Sequence, residues 1–293
     1  MFNDKNIFPK YIEFQTHSYC NSKCLYCPYE SLSKTVSNGL IEDNLFEKII
    51  EESSKHKMER MIPYLNNEPL MDKKYIDRIE IIRKYMPEVF IEIATNAELL
   101  TKEIGERLFD LNVNEIRLSV HGLYRETYNK LMKGLNYDTV YSNIETLLNT
   151  REKKGQKTKL AIVILRAKII SDEENSQIKE FWNKRNVSVY EFEVHDRAGS
   201  IENTYEQFSD QVLKNELKGC SFKRQHERMH ILYNGDVICC CQDWKRELIL
   251  GNVKEQSLYE IWNGEKYKLF REHLSGVRPS PEGFICKRCS VAF

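Results

Sequence analysis

Residues 11–29 read YIEFQTHSYCNSKCLYCPY, and the change of character along this stretch decides the fold. Its first part sets Glu13, Gln15 and His17 on one face of an extended chain, the period-two pattern of a strand. Cysteines follow at once: Cys20, Cys24 and Cys27, spaced Cys-x3-Cys-x2-Cys, on the loop at the strand's C-terminal end. In a barrel of parallel strands that end carries the active site. Three thiolates can hold three irons of a cubane cluster and leave the fourth iron open to a substrate or cofactor. A structural zinc site would want four protein ligands.

The chain around this stretch alternates two periods. Besides 11–17, the segments 61–66, 89–96, 114–120, 159–165 and 187–194 read as strands. Helical patterns lie between them at 42–57, 72–86, 101–111, 124–150 (with a break near Gly134) and 173–185. Strand, helix, strand repeated in this way predicts parallel strands with helical crossovers. Six such units make an α/β fold, a partial (β/α)6 TIM-like barrel, two short of a closed eight-stranded one. The pattern stops near Arg197, and a domain boundary is expected there, separating 1–197 from 198–293. Beyond it come a polar stretch, a hairpin signal MHILYNGDVICC (229–240) with Asn-Gly at its turn, and an amphipathic helix around SLYEIWN (257–263).

Several strands are polar on one face. Glu115, Arg117, Ser119 and His121 alternate with Ile116, Leu118 and Val120, and Glu191, Glu193, His195 and Arg197 share another face. Strands covered on both sides should be near-continuously apolar. The repeated polar face is either a solvated surface or a barrel lumen lined to bind a polar ligand, and agreement among four strands favours the lumen.

Composition excludes several classes of function. Lys plus Arg and Asp plus Glu stand at 44 each, so there is no basic excess for general nucleic-acid binding. No apolar run approaches the ~20 residues that span a bilayer, and the N-terminus has no signal-peptide core, so a cytoplasmic protein is expected. Nine cysteines in that reducing compartment argue for metal binding or catalysis before disulfides.

The cysteine motif, with Tyr26 just before its third cysteine, resembles the radical S-adenosylmethionine superfamily. YLNNEPLM (64–71) looks like that family's Gly-Gly-Glu-Pro segment, which grips the methionine amino group, with Asn66 and Asn67 replacing the glycines and carry-over clearest at Glu68 and Pro69. Thr95 and Asn96 match a Thr-Asn-Gly segment in which Ala97 replaces glycine. Ser119 and His121 fall in RLSVHG, which resembles the fourth-strand segment whose serine holds ribose or carboxylate. Taken singly, such residues at strand ends are often only helix caps. The resemblance implies S-adenosylmethionine as cofactor, a 5′-deoxyadenosyl radical that removes a substrate hydrogen atom, and an electron donor such as flavodoxin or ferredoxin.

A second resemblance covers the C-terminal part. Cys220 is followed after fourteen residues by Gly235 and after four more by Cys240, a spacing similar to the opening of the SPASM motif. With Cys286 and Cys289 the set resembles the shorter, single-cluster version, implying a small C-terminal auxiliary domain around a second [4Fe–4S] cluster. Zinc is the alternative for four cysteines ending in Cys-x2-Cys. If the hairpin strand continued through the triplet, Cys239 and Cys241 would point away from Cys240 and be spare, as buried apolar groups or as catalytic thiols.

The resemblance leaves two reactions open. One is dehydrogenation of a sugar, aminosugar or cyclitol alcohol, where Arg197 would contact the substrate hydroxyl; otherwise Arg197 pairs with Glu193 or Asp196. The other is epimerisation of an aminoglycoside, sugar or peptide, with the thiol of Cys241 or Cys239 as hydrogen donor and Asp243 facing the substrate. A non-catalytic Fe–S redox carrier would leave the polar lumen and the Asn-Asn-Glu-Pro segment unexplained.

Overall fold

The computed structural model describes residues 8–201 and 213–293; part of the polar stretch beyond Arg197 lies outside the described residues. In chain order the elements are β1 (Tyr11–Phe14), α1 (Tyr29–Leu32), α2 (Asp43–Ser54), β2 (Arg60–Ile62), α3 (Tyr75–Tyr85), β3 (Phe90–Thr95), α4 (Lys102–Asp110) and β4 (Glu115–Ser119). They continue with α5 (Arg125–Leu131), α6 (Tyr137–Lys154), β5 (Lys159–Arg166), α7 (Asp172–Asn183) and β6 (Ser188–Glu193). The C-terminal part holds α8 (Arg224–Glu227), β7 (Arg228–Ile231), β8 (Asp236–Ile238), β9 (Ile249–Asn252), α9 (Leu258–Asn263) and α10 (Glu265–Leu274). The six expected strands of the α/β fold are formed, with helices between successive strands.

Side-chain caps set where helices begin. Thr101, Asn136 and Ser171 accept from the backbone amides of Ile104, Thr139 and Glu174 at the starts of α4, α6 and α7. Ser257 and Glu260 form a reciprocal capping box on α9. The expected break falls between α5 and α6, where Gly134 takes a left-handed φ of 87°. That break has a use: the carbonyls of Leu131 and Lys133 accept from the amides of Leu25 and Lys23 in the cysteine loop.

The described residues form two compact units. One contains the cysteine loop (19–27) and residues 67–194, with β3, β4, β5 and β6 in parallel order. Its apolar strand face is fully buried at Ile93, Ile116, Leu118 and Ile162. The polar face of β3 and β4 is largely self-satisfied: Arg117 reaches Glu92 at 2.8 Å and Glu115 at 3.3 Å, and the Tyr190 hydroxyl donates to Glu115 at 2.7 Å. On β6 the polar-face expectation needs correcting. Glu191 turns to α7, accepting from Asn175 and Lys179, and Glu193 is exposed.

The other unit gathers the described residues of 1–18 with 28–66 and 195–293. Here β1 lies between β2 and β7, parallel to both, and β8 and β9 continue antiparallel. The hairpin read from the sequence therefore extends the edge of the first strand, and residues 28–66 share a unit with 195–293. Phe14 packs on Phe46 of α2 with ring centroids 6.0 Å apart, beside fully buried Ile12, Ile49 and Ile50. Among the described residues no helix is long and apolar enough to cross a membrane.

Candidate active site and metal centres

Cys20, Cys24 and Cys27 are all partly buried on the loop after β1. A turn closed by the Cys27 amide on the Cys24 carbonyl (3.1 Å) brings the second and third cysteines together. Ser22, which sequence reasoning passed over, contacts both Cys20 Sγ (3.0 Å) and Cys24 Sγ (3.4 Å). Burial pushes the Cys20 thiol up to about 11 and the Cys24 thiol up to about 12, so holding them as thiolates calls for bound positive charge. Tyr26 is buried in the same loop.

The residues matched to cofactor-binding segments lie mostly in the same unit as this loop. Glu68 is buried and bridges two elements, accepting from the Leu70 amide, the Thr95 hydroxyl (2.6 Å) and the Asn96 amide (2.7 Å). Pro69 opens the short 3-10 turn that follows, and Asn67 lies just before it. Asn96 donates to Asn21 Oδ1 at 2.7 Å, tying the end of β3 to the cysteine loop. Ala97, standing where the family segment has glycine, sits at φ 65°, the conformation that glycine adopts without cost. Ser119 ends β4 and His121 follows it, both partly buried. Asn66 belongs to the other unit, where it lines a cavity with Gln15, Ser18 and Trp244.

In that other unit Cys220, Cys240, Cys286 and Cys289 line one cavity. Cys239 lines it as well, because β8 ends at Ile238 and the triplet lies in the turn beyond. The strand alternation that would have set Cys239 apart from Cys240 is therefore absent. Cys239 is fully buried and its Sγ approaches Asp243 Oδ2 at 3.7 Å. Asp243 also accepts from the Glu247 and Leu248 amides, so its carboxylate braces this loop. Residues 218–221 are clamped to the 291–293 segment by backbone bonds, including Lys218 to Phe293 at 2.6 Å and Ser221 to Val291 at 3.1 Å.

Cys241 looks elsewhere: its sulfur, a Glu13 oxygen and a His230 ring nitrogen lie within 4.8 Å of one another. Against the burial that pushes it up, His230, Arg228 and Arg224 hold the Glu13 carboxyl below its usual range. A bond to Cys240 and burial push the Cys241 thiol up, whereas the same bond, with help from Arg224, brings Cys240 down. Arg197, at φ 53°, makes neither expected ion pair among the described residues, and its buried Nε has no hydrogen-bond partner there.

Sulfur spacing tests which metal group these cysteines suit. Tetrahedral zinc with ~2.3 Å bonds puts its sulfurs only about 3.8 Å apart. Among the described residues neither the three-cysteine nor the four-cysteine set forms a group with donor atoms within 4.8 Å of one another. Both sets are too open for one zinc ion, whereas a multi-iron cluster binds its cysteines through separate irons and so suits a wider spacing of the sulfurs. Sequence reasoning also missed Arg224, four residues after Cys220, which lines this cavity.

Comparison with known proteins agrees with this chemistry. The Radical SAM superfamily profile matches residues 14–174, and the iron-sulfur cluster-binding domain profile (SPASM) matches 220–290. The S-adenosyl-L-methionine-dependent 2-deoxy-scyllo-inosamine dehydrogenase of Niallia circulans is 22% identical over 285 residues, covering 95% of this chain and 92% of that protein. Among solved structures, BtrN in complex with AdoMet and 2-DOIA superposes with a TM-score of 0.65 at 19% identity, covering 97% of this chain and 93% of that one. Streptococcus suis SuiB bound to precursor peptide SuiA gives a TM-score of 0.71 at 17% identity, covering 96% of this chain and 70% of that one.

Proposed function

Because the chain belongs to the radical SAM superfamily, we propose that it oxidises an alcohol carbon of a sugar, aminosugar or cyclitol. Family membership makes it an enzyme that works with S-adenosylmethionine and iron–sulfur clusters. In the proposed assignment Cys20, Cys24 and Cys27 hold the cluster that binds the cofactor, and Cys220, Cys240, Cys286 and Cys289 hold an auxiliary [4Fe–4S] cluster. When bound, these groups would supply the radical chemistry that removes a hydrogen atom from the substrate carbon, and an acceptor for the electron that carbon must still lose. The alcohol gives up one hydrogen atom, one proton to a base and one electron, and leaves as a ketone. Arg197 orients the hydroxyl; a left-handed backbone and a guanidinium without an ion pair suit a group reserved for a ligand. Glu68, Thr95, Asn96 and the Asn21 bridge brace the cofactor side, with Ser119 and His121 at the end of β4.

The observation that carries this reading is the gathering of Cys220, Cys240, Cys286 and Cys289 around one cavity, where a cluster would serve as the electron acceptor that oxidation needs. The near end-to-end likeness to a dehydrogenase of cyclitol type supports it. The boundary near residue 198 belongs to the same proposal, as does a cytoplasmic location with flavodoxin or ferredoxin as electron donor. The test is an anaerobic reaction with S-adenosylmethionine, dithionite and a panel of cyclitols and aminosugars that includes 2-deoxy-scyllo-inosamine. A product two mass units lighter, formed with 5′-deoxyadenosine, supports oxidation; a product of unchanged mass overturns it.

One observation favours a second reading, epimerisation. The Cys241 sulfur lies beside Glu13 and His230, and its raised pKa keeps the S–H bond that a hydrogen-atom donor needs. A peptide substrate falls under this reading too, since SuiB is seen bound to a precursor peptide.

A further inference from the structure

Arg224 opens α8 directly after Lys223, whose backbone is left-handed at φ 51°. Its Nη1 donates to Cys240 Sγ at 3.8 Å, and its Cζ lies 4.3 Å from the centre of the Phe222 ring, which fixes the guanidinium plane. The side chain is only partly accessible and lines the cavity shared by Cys220, Cys240, Cys286 and Cys289. Among the described residues it has no carboxylate within ion-pair distance, whereas neighbouring Arg228 is bound to Glu13. Glu13, which Arg228 binds, acts on Arg224 only from beyond ion-pair distance, so a desolvated guanidinium here is costly unless an anion in direct contact offsets it. Four thiolates around an iron–sulfur cluster are such an anion, and they lie on the side that Arg224 faces.

The electrostatics then have a direction. Reducing a cluster adds negative charge to it. A fixed cation and an N–H bond to a ligand sulfur favour the reduced form and raise the reduction potential. We propose that Arg224 sets the potential of the auxiliary cluster high enough to accept an electron from a substrate radical. Arg224 is on this view a tuning residue acting through Cys240. The inference rests on the assignment of the four cysteines to that cluster.

Two forms of the full-length protein test it: the reconstituted holoprotein, and a Cys20→Ala, Cys24→Ala, Cys27→Ala background that retains only the auxiliary cluster. The readout is an EPR-monitored redox titration. Arg224→Gln, which removes the charge, should shift the auxiliary potential to lower values at unchanged iron content. Arg224→Lys, which keeps the charge but loses the planar fork, should shift it less in the same direction. If Arg224→Gln loads iron poorly, Arg224→Lys still decides the matter. A wild-type potential in the variant that loads overturns the proposal. Absence of iron from the triple-alanine background has a different signature and overturns the cysteine assignment together with it.

Discussion

The Thr95 hydroxyl donates to Glu68 Oε1 at 2.6 Å, and the adjacent Asn96 amide donates to Oε2 at 2.7 Å. The end of β3 is thereby fastened to the Asn-Asn-Glu-Pro turn through one buried carboxyl. Burial pushes that carboxyl up to about 7, against the three donors that favour its charged form. A carboxyl raised in the folded state binds its proton more tightly there than in the unfolded chain. Its stabilising contribution is therefore complete below the ordinary value of 4.5 and is lost as pH rises through 7. In the cluster-free protein, the free energy of unfolding should fall by about 3 kcal/mol more over this window in the wild type than in Glu68→Gln. Urea denaturation at pH 4.5, 6 and 7.5 measures the slopes, and parallel slopes would count against a raised Glu68.

Two residues further along, Ala97 holds a left-handed φ of 65°. A side chain there costs about 1 kcal/mol relative to glycine. Ala97→Gly should raise the stability of the cluster-free protein by about 1 kcal/mol, less the small loss from uncovering a buried methyl. Thermal unfolding of the two proteins checks the sign.

Much of this architecture was legible in the sequence because it rests on local patterning. The six strands, the crossover helices, the break near Gly134 and the Asn-Gly hairpin all follow from periodicity and turn chemistry. What escaped was set by long-range contact. The pairing of β7 with β1 joins residues more than 200 positions apart in register, Tyr11 with Arg228, and no local signal encodes it. The polar face of β6 turned out to serve α7, because Lys179 and Asn175 lie within reach of Glu191. The triplet misled for a local reason: the strand ends at Ile238, so strict alternation no longer orders Cys239 to Cys241. The cysteine spacings were readable; the neighbours Ser22 and Arg224 that contact those sulfurs were identifiable only in three dimensions.

The anaerobic protein is expected to carry about eight irons per chain, four in each site. Replacing Cys20, Cys24 and Cys27 together with alanine should leave about four and abolish 5′-deoxyadenosine formation. Iron and sulfide analysis beside chromatography of the nucleoside measures both, and a triple variant that still cleaves the cofactor would refute the assignment.

The auxiliary site should also hold its surroundings together. Cys286 lies within a short 3-10 turn (Ile285–Arg288) and Cys289 directly follows it, and the residues after it are bonded to 218–221. Metal–ligand bonds there would tie residue 220 to residue 289, so Cys286→Ala or Cys289→Ala should lower solubility or expose residues 220–293 to protease. Limited proteolysis of the reconstituted proteins reads this out. Wild-type resistance in both variants would make the cluster purely electronic.

Cys241 separates the two candidate reactions. Its thiol lies with Glu13 and His230, outside the cavity that Cys239 and Cys240 line. If the enzyme oxidises its substrate, no hydrogen donor is needed: Cys241→Ala should still give a product two mass units lighter, with a packing penalty of about 1 kcal/mol. If it epimerises, the same variant should cleave the cofactor and abstract hydrogen yet lose the inverted product or scatter it among other quenched species. A reaction in deuterated water adds an independent readout, because a thiol exchanges its proton with solvent and would deliver one deuterium to the inverted carbon. The expected outcome is the lighter product, free of solvent deuterium at the reacting carbon, from wild type and Cys241→Ala alike. One deuterium in a product of otherwise unchanged mass, lost in Cys241→Ala, would instead establish the thiol as the donor and remove the need for an electron acceptor at the four-cysteine site.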